Sequence, residues 1–158
     1  MRARPVVLLS LLAALIGAAP AAAGGLAEVD GVVLRYTADD AEPVNVTIDR
    51  LDGVLRLVEN ASRMTVGAGC TLGPDSYRVE CPDTGVERIE VRLGALGSDV
   101  RIRADLPSKV DGGPGDDLIV GGPAEDAIDG GPGQDIIGGG EAADLLHGGP
   151  GLDLVTYA

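Results

Sequence analysis

The chain is 158 residues long, enough for one domain or two small ones. Its 12 basic and 25 acidic residues leave a net charge of −13, which argues against nucleic acid and anionic membrane as partners. With no Phe or Trp and only three Tyr, no large aromatic core can form; the 25 glycines and 10 prolines point toward disorder, yet 45% of residues are apolar, too many for a disordered acidic chain.

The first residues, MRARPVVLLSLLAALIGAAPAAAGG, have the order of a secretory signal peptide over residues 1–23. Arg2 and Arg4 form a positive start, Val6 to Ala19 an apolar run, and Ala21-Ala22-Ala23 a small-residue cleavage site. The alternative is an uncleaved anchor, but the run is shorter than the roughly 18 residues a span requires. Cleavage after Ala23 would leave 10 basic and 25 acidic residues in a mature, secreted chain without stable membrane insertion. Cys70 and Cys81 are the only cysteines, and an oxidising compartment favours their pairing. Metal ligation and a redox thiol are the alternatives, though two cysteines without His or Cys partners make no zinc site.

Residues 24–93 read as a small β-rich segment. Alternating stretches VVLRYTA, VNVTID, VLRLVE, SYRVEC and VERIEVRL are separated by Asp39-Asp40, Asp52-Gly53, Gly73-Pro74-Asp75 and Pro82-Asp83. Asp83-Thr84-Gly85 matches the aspartic-protease tripeptide, but that chemistry needs two carboxylates sharing a proton and no second copy exists, so a turn is the reading. Gly67-Ala68-Gly69 resembles the start of a dinucleotide loop without a βαβ unit around it and reads as a turn leading to Cys70. No His, G-x-S-x-G or H-E-x-x-H occurs in this segment, and the chain reads as not an enzyme.

From Gly112 the sequence repeats every nine residues. Glycine fills positions one and two at Gly112/Gly113, Gly121/Gly122, Gly130/Gly131, Gly139/Gly140 and Gly148/Gly149. Position six is Asp117, Asp126, Asp135, Asp144 and Asp153; position eight is Ile119, Ile128, Ile137, Leu146 and Val155. A flexible linker has no reason to hold an aliphatic in phase with an aspartate. The register reaches back to Gly94-Ala95-Leu96-Gly97-Ser98-Asp99, one 18-residue turn before Gly112. Position eight of that repeat is Arg101, so Val100 and Ile102 are expected to face inward instead.

The pattern G-G-x-G-x-D-x-U-x resembles the RTX, or haemolysin-type, calcium-binding repeat. The resemblance implies an all-β chain in which residues 94–158 form a right-handed parallel β-roll, a β-solenoid with two repeats per turn and Ca²⁺ between stacked loops. Carried over residue by residue, the ligand loops comprise Asp99, Gly112, Gly113, Gly115, Asp117, Gly121, Gly122, Asp126, Gly130, Gly131, Gly133, Asp135, Gly139, Gly140, Asp144, Gly148, Gly149, Gly151 and Asp153. The Asp99, Asp117, Asp135 and Asp153 loops would stack on one edge, with up to three inter-loop sites, and Asp126 and Asp144 on the other, with one. Carbonyls and carboxylates are the hard oxygen ligands Ca²⁺ prefers, and extracellular modules of this kind bind at roughly 10⁻⁴–10⁻³ M. Residues 111–158 carry ten acidic side chains and no Lys or Arg, so folding without a cation sets like charges against each other. Position four is Gly97, Gly115, Gly133 and Gly151 on the first edge but Ala124 and Ala142 on the second; if positive φ is required there, the first edge binds more tightly. His147 reads as a side chain flanking the roll.

The sequence thus points to a secreted, non-catalytic calcium-binding protein that folds on binding Ca²⁺. Two alternatives stand beside it: a solenoid held by its aliphatic ladder with aspartates shaping the turns, and an extracellular structural or adhesive module in which calcium only rigidifies the roll. An extracellular or cell-envelope partner is left open.

Overall fold

The computed structural model describes residues 24–40 and 42–157, so the expected signal peptide lies outside the described residues. Every regular element among them is a strand: β1 (Gly25–Asp30), β2 (Val33–Ala38), β3 (Asn45–Leu51), β4 (Val54–Glu59), β5 (Thr65–Val66), β6 (Thr71–Leu72), β7 (Arg78–Pro82), β8 (Arg88–Arg92), β9 (Asp99–Ile102), β10 (Ser108–Asp111), β11 (Leu118–Val120), β12 (Asp126–Asp129), β13 (Ile136–Gly138), β14 (Leu145–His147) and β15 (Leu154–Thr156). They form two sheets, ordered β14-β12-β10-β8-β2-β1-β5 and β15-β13-β11-β9-β3-β4-β7-β6. No helix of the described residues is long and apolar enough to cross a membrane.

Alternation sets which face of each strand is buried. In β3, Val46 and Ile48 point inward while Asn45, Thr47 and Asp49 are half-buried; in β4, Leu55, Leu57 and Glu59 point inward. The two strands are antiparallel, with Leu51 opposite Val54. The two-residue turn between them, Asp52-Gly53, has φ of 53° and 80°, the left-handed pair that a tight hairpin needs. The antiparallel pairings all lie in the first 93 residues: β1 with β2, β3 with β4, and β7 with both β4 and β6. The Cys70–Cys81 disulfide ties the loop before β6 to β7, where Cys81 is fully buried.

From β8 onward successive strands go alternately to the two sheets, and every pairing is parallel. In one sheet Val110 faces Ile128 and Ile128 faces Leu146; in the other Ile119 faces Ile137 and Ile137 faces Val155. The position-eight aliphatics therefore form two columns 18 residues per step, and a single apolar core runs from Ala27 to Ile137. The sheets pass Gly94 without a break, because β2 pairs in parallel with β8 and β3 with β9. Ile119 is fully buried between neighbours that are themselves paired on both sides. Ile119→Ala is expected to cost about 2–5 kcal/mol by chemical denaturation in calcium, through lost burial and a cavity that paired strands cannot collapse.

One step differs. Between β9 and β11, and between β8 and β10, the register advances 19 residues: Val100 faces Ile119 and Val91 faces Val110. The expectation that Val100 and Ile102 face inward holds, at 0% and 2% exposure, and the extra residue is the reason.

Candidate metal centre

Each repeat aspartate stands at or just before the start of a strand, and the 18-residue step stacks these positions into two columns. In the first, the Oδ1 of Asp117 accepts the Ser98 N–H at 2.7 Å, that of Asp135 the Asp117 N–H at 2.9 Å, and that of Asp153 the Asp135 N–H at 3.0 Å. In the second, Asp126 Oδ1 accepts the Ser108 N–H and Asp144 Oδ1 the Asp126 N–H, both at 2.9 Å. One carboxylate oxygen of every repeat thus closes onto the backbone of the preceding turn.

This corrects the place of Asp99. The 19-residue step puts Ser98, not Asp99, at the head of the first column, and Asp99 instead lies opposite Leu118 and pairs with Arg101 at 2.6 Å. Ser108 heads the second column in the same way. Neither serine was anticipated, because the glycine spacing around Gly94 suggests an 18-residue step. The signal that could have found them is the aliphatic phase: aligning Val100 with Ile119 shifts Ser98 under Asp117.

The second carboxylate oxygens distinguish the columns. Asp117 and Asp135 are 2% and 1% exposed, and the Oδ2 of each is buried with no hydrogen-bond partner. Asp126, at 3% exposure, has its Oδ2 occupied by the Gly122 N–H at 2.7 Å. Burial pushes the Asp117 carboxyl up to about 7, with the charges of Asp135 and Asp116 adding to the effect and the Ser98 N–H opposing it. Asp135 and Asp126 are raised as well, burial again being the largest cause.

The position-one glycines leave the space these oxygens face. A methyl on Gly112 would stand 2.2 Å from the Gly130 carbonyl oxygen and 2.8 Å from Asp117 Oδ2. One on Gly130 would stand 2.5 Å from Asp135 Oδ2 and 2.7 Å from the Gly148 carbonyl oxygen. Gly139 and Gly148 stand beside Asp144 and Asp153, and Gly121 lies likewise between Asp126 Oδ2 and the Gly139 carbonyl oxygen. A carboxylate oxygen and a carbonyl oxygen from the next turn therefore converge on one small cradle, the donor set of a hard divalent cation. Among the described residues no three acidic, His or Cys side chains gather into a cluster, so any ion held here draws on the backbone.

Positive φ falls on position two, at Gly113, Gly131, Gly140 and Gly149, whereas Gly122 donates its N–H to Asp126. At position four only Gly115 and Ala142 have it, at 131° and 72°, so left-handed backbone is not what position four generally requires. Gly115, Gly133 and Gly151 are instead stacked backbone on backbone, with Gly133 and Gly151 in a parallel bridge. His147 contacts neither aspartate column through its ring: its Nδ1 lies 3.0 Å from Asp129 Oδ1 on an exposed face.

A family model described as the RTX calcium-binding nonapeptide repeat matches residues 109–137 and again 131–156. The chain carries RTX calcium-binding repeats. The RTX match spans both aspartate columns, from the strand before Asp117 to the strand after Asp153. RTX repeats imply calcium binding, and the unpartnered Oδ2 atoms of Asp117 and Asp135 are of the kind Ca²⁺ takes. No match to the chain was found among curated proteins or among solved structures.

Proposed function

We propose that the chain is a secreted, non-catalytic calcium-binding protein whose residues 94–158 form a right-handed parallel β-roll and complete their folding on Ca²⁺. The observation that carries this reading is the pair of buried Oδ2 atoms on Asp117 and Asp135 that the protein leaves without a partner. Burying a carboxylate without a counter-charge is costly, and residues 111–158 contain no Lys or Arg to supply one. A cation between turns removes the penalty and links metal binding to folding. Export agrees with the Cys70–Cys81 disulfide and with the order of residues 1–23. Catalysis has no part in the reading: Asp83, the one catalytic-looking carboxylate, is held by Arg50 at 2.9 Å beside a turn.

The test is a Ca²⁺ titration of residues 24–158 followed by far-UV circular dichroism, with Mg²⁺ as control. A cooperative gain of β signal at sub-millimolar to millimolar Ca²⁺ is expected. A chain fully β-structured in EDTA and indifferent to Ca²⁺ would leave the aspartates a turn-shaping role only. One observation favours the adhesive alternative: Leu145, Leu152, Leu154 and Tyr157 are between 57% and 83% exposed near the edge strands β14 and β15. Sedimentation of the same samples separates the two readings, since an adhesive module self-associates in Ca²⁺ and a monomeric binder does not.

A further inference from the structure

The chain also buries a carboxylate outside the nine-residue repeats. Glu59 ends β4 on the inward face shared with Leu55 and Leu57 and is 0% exposed. Its Oε2 accepts a hydrogen bond from the buried Tyr36 hydroxyl at 3.3 Å, and its Oε1 has no partner. The titratable groups acting on it are Tyr36 on β2 and Glu42 in the loop before β3; Glu42 is itself an acid, held by the Ser62 hydroxyl at 3.2 Å. Among the described residues no cation acts on this buried carboxylate.

Gly24 and Gly25 lie directly over it. A methyl on Gly24 would stand 3.1 Å from Glu59 Oε2 and 2.2 Å from the Arg63 carbonyl oxygen, and one on Gly25 would enter the Tyr36 ring at 2.3 Å. The Gly24 carbonyl accepts the Asp39 N–H at 2.6 Å, which fixes the residue in place. Covalent geometry then keeps the Gly24 nitrogen within about 5.6 Å of Glu59 Oε2.

We propose that hydrolysis of the Ala23–Gly24 bond creates the missing counter-ion, the Gly24 α-ammonium pairing with the buried Glu59 carboxylate and fastening β1 to the sheet. The inference rests on the reading that a leader is removed after Ala23. An endopeptidase adds water across that amide, the C–N bond breaks, Ala23 leaves as a carboxylate, and the Gly24 nitrogen takes up protons to become an ammonium. Before cleavage that nitrogen is a neutral amide, and burial pushes Glu59 up to about 7, with the Tyr36 hydroxyl and the Ser62 backbone N–H opposing the rise and the Glu42 charge adding to it. A raised carboxyl stabilises the fold below its unfolded value, near 4.5, and that contribution is lost as pH rises through about 7. With the ammonium in place Glu59 stays ionised, and the loss moves to the alkaline side, above the ordinary α-amino value of about 8.

The experiment compares three chains in saturating calcium: residues 24–158 with a free Gly24, residues 23–158, and residues 25–158 carrying an acetyl group, which reproduces Gly24 without its nitrogen. Each is made with Glu59 and with Glu59→Gln, melted between pH 5 and 9, and the Glu59 carboxyl of the first set is followed by carbon NMR. The free-Gly24 chain should have an unfolding constant at pH 7.5 at least about 30-fold smaller than the acetylated chain, with that ratio falling to about threefold or less in Glu59→Gln. Glu59 should titrate near 7 without the ammonium and be shifted clearly downward with it present. Equal stability of the chains, an undiminished difference in Glu59→Gln, or a Glu59 still titrating near 7 beside a free Gly24 would overturn the pairing. Intact-mass measurement of the exported chain tests the processing step separately: a mature start at another residue overturns the cleavage assignment, whatever the melting data give.

Discussion

Asp117→Asn and Asp135→Asn, made together, are expected to raise the calcium needed for half-maximal folding by at least about tenfold, while leaving the metal-free chain no less stable. An asparagine keeps the Oδ1 that accepts the N–H of the preceding turn, so the stacking contacts at 2.7 and 2.9 Å survive. What it removes is the charge on the oxygen that has no protein partner. Asp126→Asn should behave in the opposite way. Its Oδ2 accepts the Gly122 N–H, so an amide nitrogen there sets donor against donor and costs about 1–3 kcal/mol even in EDTA. Calcium titration and EDTA melting of the two variants separate a ligand from a turn-former. Removal of the metal should also expose a pH dependence. Asp117 is raised to about 7 in the folded chain against an unfolded value near 3.8, so in EDTA stability is greatest below about 4 and declines as pH rises toward 7. Saturating calcium should remove that decline.

Gly133→Ala should be among the most damaging single substitutions in the repeats, lowering stability by more than about 3 kcal/mol with or without calcium. Its new methyl would stand 1.8 Å from the Gly115 carbonyl oxygen, and the obstacle is main chain, which has no rotamer to change. Gly138→Ala is the control, since its methyl would meet only the Thr156 hydroxyl at 3.5 Å, an ordinary contact. A similar loss at both positions would mean that glycine is needed for flexibility throughout and not for close stacking at Gly133. Thermal melting in EDTA and in calcium reads both variants.

Much of this was legible in residue patterns. The alternation in VLRLVE fixes the inward face of β4 and, read strictly, already places Glu59 beside Leu55 and Leu57. The nine-residue phase fixes the aspartate columns from Asp117 onward, because repeat length is a property of the sequence itself. What stayed hidden depends on distant pairing. Nothing local in Leu34 and Ile89 says that they are partners, although their pairing carries one sheet across from the hairpins to the repeats. β5 and β6 are two residues each, too short for alternation to register. The extra residue between Val100 and Val110 is invisible to glycine counting, and the pairings of Val100 with Ile119 and of Val91 with Val110 reveal it. The difference between Asp117 and Asp126 is subtler still, since it lies in which backbone N–H reaches the second carboxylate oxygen.

The alternation of repeats between two sheets makes chain length a matter of parity. An extra 18-residue cassette placed after Gly138 would add one strand to each sheet and one aspartate to each column, leaving every later residue in its present sheet. A nine-residue cassette would send β14 and β15 to the opposite sheets and move Asp144 and Asp153 into each other's columns. Ala142 would then stand in line with Gly133, where a methyl meets main chain. Growth or loss in whole turns is thus silent to the architecture, whereas growth in half-turns is not.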